Sequence, residues 1–134
     1  MPFTLLKSRT SVHLKVRAKK LDKFFADSLK GMMTVVSPES LVTEDAIDRS
    51  IVIESSCLDD LLIDFLNEIL SYAFVDGECY PGILINEIYD NFVDAELKGA
   101  CAGGDCEEIR SIAYLNEGIT KKKGFYETTL VFDL

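Results

Sequence analysis

Asp133 is the carboxylate best placed to do chemistry. It stands one residue before Leu134, at the end of a run otherwise made of Leu130, Val131, Phe132 and Leu134. With the terminal carboxylate close by, two negative groups repel each other unless a cation comes between them. An oxygen-rich corner of that kind suits a hard cation such as Ca²⁺. The plainer reading is a strand running out into water. A second group is His13, Lys15, Arg17 and Lys19, set at alternate positions. These side chains could grip phosphates, and they equally make a solvated strand edge that resists aggregation. The third group is thiols. Cys101 and Cys106 form a C-x4-C pair in a glycine-rich stretch, with Cys57 and Cys79 elsewhere. A zinc site takes four ligands, and the single histidine, His13, is far off in sequence. Free thiols are therefore expected, with a Cys101–Cys106 disulfide only under oxidising conditions.

Other chemistries are poorly served. The string GACAGGDC lacks the Lys-Ser/Thr that closes a phosphate loop. One histidine on a basic strand offers little for a nucleophilic triad. A small metal-dependent hydrolase built on Asp133 lacks a second ligand cluster and a base.

The elements that must position these groups are legible from periodicity. Val12, Leu14, Val16 and Ala18 alternate with polar residues over 11–19, which predicts a half-buried strand. Leu21, Phe24, Phe25, Leu29, Met32 and Met33 predict a helix over 21–33, with Gly31 as a stop signal near its end. A loop or turn is expected over 35–45 and a strand over 47–54. Leu58, Leu61, Leu62, Phe65, Leu66, Ile69, Leu70 and Ala73 then form an unbroken apolar stripe. This predicts a helix over 57–74, capped by Ser55 or Ser56, with Asp59 and Asp60 in its first turn. Gly77 and Pro81-Gly82 end that region. Strands are expected over 83–88 and 91–97 about a turn at Tyr89-Asp90-Asn91. A glycine-rich connector over 98–105 follows, then strands over 108–115 and 125–134 about a turn at 121–124. The order predicts an α+β fold, with two helices packed on one face of a mostly antiparallel β-sheet.

At 134 residues the chain reads as one domain, 1–134. No window approaches the ~18 apolar residues of a membrane helix, and the opening MPFTLLKSRT has no cleavage-site pattern. A cytoplasmic protein with reduced cysteines is expected. The net charge of −9 is unevenly spread. Residues 1–30 carry eight Lys or Arg against two Asp or Glu, and residues 37–108 carry two against eighteen. The whole chain should repel nucleic acid at long range, and its acidic part should attract a basic partner.

Three stretches, in order, resemble the archease family. LDKFFADSLKGM within 11–32 is similar to that family's L-E-E-L-F-x-x-A-A-x-G-M. LDDLLIDFLNEIL over 58–70 is similar to L-E-D-L-L-x-x-F-L-N-E-L-L. Ile109–Tyr114 and the closing VFDL are similar to I-K-A-V-T-Y and V-x-F-D followed by an apolar residue. The resemblance implies a non-catalytic cofactor of the RNA-splicing ligase that joins 2′,3′-cyclic-phosphate or 3′-phosphate ends to 5′-hydroxyl ends. Such a cofactor promotes the ligase's guanylylation and multiple turnover. It implies a divalent metal held by an N-terminal Asp and the penultimate Asp. The second is present as Asp133. Ser11 stands at the first position, and the family's histidine falls near Leu115. Weak Ca²⁺ binding or none is therefore expected, with Ser11 and Asp133 close in space. His13, Lys15 and Arg17 are candidates for the partner face, and no direct sequence-specific nucleic acid contact is expected. The alternative is a diverged protein-interaction module on the same fold with another partner.

Overall fold

In the computed structural model, which describes residues 3–36, 48–75, 77–101 and 108–134, the chain runs β1 (Phe3–Lys7), β2 (Ser11–Ala18), α1 (Leu21–Val36), β3 (Asp48–Glu54), α2 (Leu58–Val75), β4 (Glu78–Tyr89), β5 (Phe92–Cys101), β6 (Ser111–Tyr114), β7 (Thr120–Lys122) and β8 (Phe125–Asp133). The alternation in β2 is realised as written. Val12, Leu14, Val16 and Ala18 are buried, whereas Lys15 and Arg17 are exposed. The α2 stripe from Leu61 to Ala73 is buried throughout, with Leu58 packed at its margin. Phe65 of α2 meets Phe25 of α1 at a ring separation of 5.4 Å, which ties the helices together.

All strand pairs are antiparallel. They form two sheets. One runs β1-β2-β8-β6, with β7 also on β8, and the other runs β3-β5-β4. The α+β class and the two helices match the periodicities, but the strands are divided where a single sheet was expected. Alternation of apolar and polar residues fixes which face of a strand is buried and says nothing about its neighbour. The β4–β5 hairpin turns at Asp90-Asn91 and takes β3 on the far side of β5, closing a separate ladder. Helix α1 packs against β1, β2 and β4, and α2 against β3, β4 and β6, so both helices bridge the two sheets.

Several local readings change. Gly31 does not end a helix. It is buried inside α1, where a Cβ would come within 2.6 Å of Leu14 Cδ1 on β2. The glycine lets helix and sheet approach. Neither Ser55 nor Ser56 is the cap of α2. The Leu61 N–H donates to the Cys57 carbonyl, so Cys57 stands at the helix start. The Ser55 and Ser56 hydroxyls instead donate to the carboxylates of Asp64 (2.7 Å) and Asp60 (3.0 Å). Pro81-Gly82 lies within β4, at a register irregularity between Cys79 and Gly82. Short β1 and β7 were not foreseen, because neither has a full alternating run. The turn expected over 121–124 narrows to Lys123-Gly124, both with positive φ (53° and 81°), which fits a two-residue hairpin. Val35 and Val36 belong to α1, while the rest of the loop expected over 35–45 lies outside the described residues. So do residues 102–105 of the connector and Cys106. Of the other cysteines, Cys57 is an exposed free thiol and Cys79 a buried one.

Candidate functional site

Strand β8 is central. Its last residue, Asp133, is in register with Ser11 of β2 on one side and Ser111 of β6 on the other. Directly opposed side chains in antiparallel strands share a face, with Cα atoms about 4.5–5.5 Å apart. The exposed carboxylate of Asp133 is thus flanked by two hydroxyls. Ser111 Oγ donates to Asp133 Oδ2 at 2.8 Å. On the other side Ser8 Oγ lies 3.2 Å from both the carbonyl oxygen and Oγ of Ser11. The backbone holds this end rigidly. The Arg110 N–H donates to the Asp133 carbonyl at 2.6 Å and the Leu134 N–H to the Thr10 carbonyl at 2.9 Å. The tertiary fold therefore brings Ser11 and Asp133 together, as the family resemblance required.

Ser111 is the residue that sequence reading missed. It lies in a predicted strand, and only the β6–β8 register reveals that it faces Asp133. As a divalent-metal site the donor set is thin. Ca²⁺ takes about six to eight oxygens, with carboxylates carrying most of the charge compensation. Here one carboxylate is joined by neutral serines, and among the described residues no three His, Cys, Asp or Glu side chains converge. The residues present do not fit a strong Ca²⁺ site. Leu115, where the family's histidine falls, follows β6. It is exposed, and its N–H donates to the Thr129 carbonyl at 2.9 Å.

The basic strand lies on the same outer face. Reading β2 away from Ser11, the register sets His13 beside Leu6 and Val131, Lys15 beside Thr4 and Thr129, and Arg17 beside Glu127. Arg17 is already engaged. Its Nε lies 2.6 Å from Glu127 Oε1, and its guanidinium sits 3.6 Å above the Phe125 ring. The Lys19 ammonium approaches that ring at 5.3 Å. His13 is half-buried and Lys15 exposed. Lys15 borders a cleft of about 550 Å³ whose other walls include Asn116, Glu117, Thr120, Glu127 and Thr129.

The loop between β6 and β7 is fixed to the start of α2. Asp59 Oδ1 accepts the Ile119 N–H at 2.9 Å, and the Tyr114 hydroxyl donates to the Asp59 carbonyl at 2.6 Å. Burial, followed by the neighbouring Asp59, Cys57 and Asp60, pushes the Tyr114 phenol well above its ordinary pKa. Tyr114 is thereby kept protonated as a donor and is a structural pin, not an acid–base group.

An α+β fold with two helices bridging two antiparallel sheets, and an acidic residue closing the central strand, is the class these features define. The model of the Archease protein family (MTH1598/TM1083) matches residues 3–134, and the chain belongs to that family. The solution structure of protein 1598 from Methanobacterium thermoautotrophicum is similar to it, with TM-score 0.72 and 19% identity over 99% of each chain. The Thermotoga maritima crystal structure described as an archease and possible chaperone, TM1083, gives TM-score 0.63 and 12% identity over 91% of this chain and 89% of that one. Among curated proteins no match is found. Among the described residues no helix is long and apolar enough to cross a membrane.

Proposed function

We propose that this archease is a cytoplasmic, non-enzymatic cofactor of an RNA-splicing ligase, promoting its guanylylation and multiple turnover in tRNA splicing or RNA repair. Membership of the family across nearly the whole chain supports this reading. The Thermotoga relative's description as a possible chaperone is consistent with action on another protein. Asp133 is the residue the ligase would meet. It is exposed at the end of the central strand, where its carboxylate could enter a partner's site. The chain's own Ca²⁺ affinity is weak, because Ser11 supplies no charge. The test is RNA ligation with limiting ligase, with and without this protein. The expected result is more product turnovers per ligase, reduced by Asp133→Ala, and no ligation by this protein alone. Unchanged turnover across several divalent metals rejects the reading. Ser11 and Leu115, in place of the family's Asp and His, favour the second reading, a diverged interaction module with a different partner.

A further inference from the structure

The outer face of the larger sheet carries a row of basic residues. Lys15, Arg17 and Lys19 stand in line along β2 and its end. Across β8, Lys122 of β7 is in register with Phe125. Opposed residues share a face, so Lys122 borders the same ring that Arg17 and Lys19 approach from the other side. The acid nearest Arg17, Glu127, is neutralised by it. What remains is a basic track around a half-exposed aromatic ring, ending at Lys15 and its polar cleft. A flat sheet carrying cations for phosphates and an aromatic for base stacking is the arrangement that binds single-stranded nucleic acid without reading its sequence. Duplex readout needs an element shaped for a groove, and this face offers none.

We infer that the outer face of β2, β8 and β7 binds single-stranded RNA non-specifically. Its backbone lies along Lys19 to Lys15, a base stacks at the Arg17–Phe125 pair, and a ribose is seated in the cleft beside Lys15. The walls of that cleft, Asn116, Glu117, Thr120, Glu127 and Thr129, offer acceptors for a 2′-hydroxyl, which favours RNA over DNA, while its two carboxylates keep the phosphates outside, on the lysines. The large acidic part of the chain opposes long-range approach of a polyanion, so binding is weak and strongly salt-dependent. The inference is independent of the ligase reading. RNA binding is measured with no ligase present, and its failure leaves stimulation of the ligase to be judged by turnover alone.

The experiment is fluorescence anisotropy of the full chain with a labelled poly-uridine of ~12 nucleotides at about 50 mM salt. A deoxythymidine oligomer and inorganic polyphosphate serve as comparison arms. Lys15→Glu with Lys122→Glu should weaken RNA binding about tenfold or more. Lys15→Gln with Lys122→Gln should lower the slope of log affinity against log salt by about 0.7 per lysine. Phe125→Leu should weaken RNA about tenfold and leave polyphosphate unchanged. Uridine should outbind deoxythymidine. Thermal melts check that each variant is folded, and all the substituted side chains are at least partly exposed. No binding at low salt, binding indifferent to both lysine changes, or equal loss of RNA and polyphosphate on Phe125→Leu each overturns the inference.

Discussion

Residue chemistry at Asp133 turns on what stands across from it. Ser11 and Ser111 flank the carboxylate in register, so Ser11→Asp sets a second carboxylate one inter-strand spacing away. Without metal, two like charges directly opposed on a sheet cost roughly 0.2–1 kcal/mol. With Ca²⁺ the pair becomes a shared ligand set. The variant should therefore melt lower than the native chain in chelator and higher than it in excess Ca²⁺. Calorimetric titration should show native binding weaker than about 10⁻⁵ M and a clear gain in the variant. Equal affinity in both proteins would show that Ser11 plays no part. Tyr114 supplies a second test at this scale. Its folded-state pKa is raised by burial and by Asp59, so the folded form holds its proton more tightly than the unfolded chain. Its stabilising contribution is complete below the unfolded value of about 10 and is lost as pH rises above it. Denaturant titrations should show the native chain losing stability as pH rises above about 10. Tyr114→Phe should be less stable by about 1 kcal/mol at neutral pH, through loss of the bond to the Asp59 carbonyl, and should show a shallower alkaline loss.

Between elements, one contact sensitive to a single methyl group is where α1 crosses β2. A Cβ on Gly31 would lie 2.6 Å from Leu14 Cδ1 and 2.7 Å from Cδ2. Overpacking of this kind costs about 1–3 kcal/mol, against a helix-propensity gain near 1 kcal/mol for glycine to alanine. Gly31→Ala alone should be neutral to destabilising. In a Leu14→Val background, which lacks the two δ-methyls, it should become stabilising. A double-mutant cycle by chemical denaturation measures the coupling; additive effects would mean that the approach is looser than described. The smaller sheet carries strain of another kind. Glu87 of β4 and Asp94 of β5 are in register on its outer face. Asp94→Asn should raise stability by about 0.2–1 kcal/mol at low salt, and the gain should disappear at high salt.

Across the whole molecule, the uneven charge in the sequence becomes a separation in space. The basic residues of the N-terminal stretch and the β7–β8 turn share the larger sheet, while much of the acidic middle of the chain forms α2 and the smaller sheet. A chain of net charge −9 repels itself, and much of that repulsion falls between exposed groups that salt screens. The native protein should melt higher at about 0.3 M salt than at about 0.02 M. The opposite trend would mean that attractive pairs such as Arg17–Glu127 outweigh the repulsion.

The sequence by itself determined both helices, because a stripe recurring every three to four residues over four turns has no other stable reading. The two helices lie at Leu21–Val36 and Leu58–Val75, within three residues of their expected ends. It also determined the buried face of β2. Periodicity carries no information about partners, and the tertiary structure decided everything that depends on them. It split the strands into two sheets, set Ser111 beside Asp133, and folded the Phe125 hairpin against Arg17 and Lys19. Gly31 shows the same limit in one residue. A glycine near the end of an apolar stripe looks like a helix stop, and only the leucine lying against it reveals that it is there to make room. Local pattern fixes conformation and orientation, whereas pairing, register and close approach are properties of segments far apart in the chain.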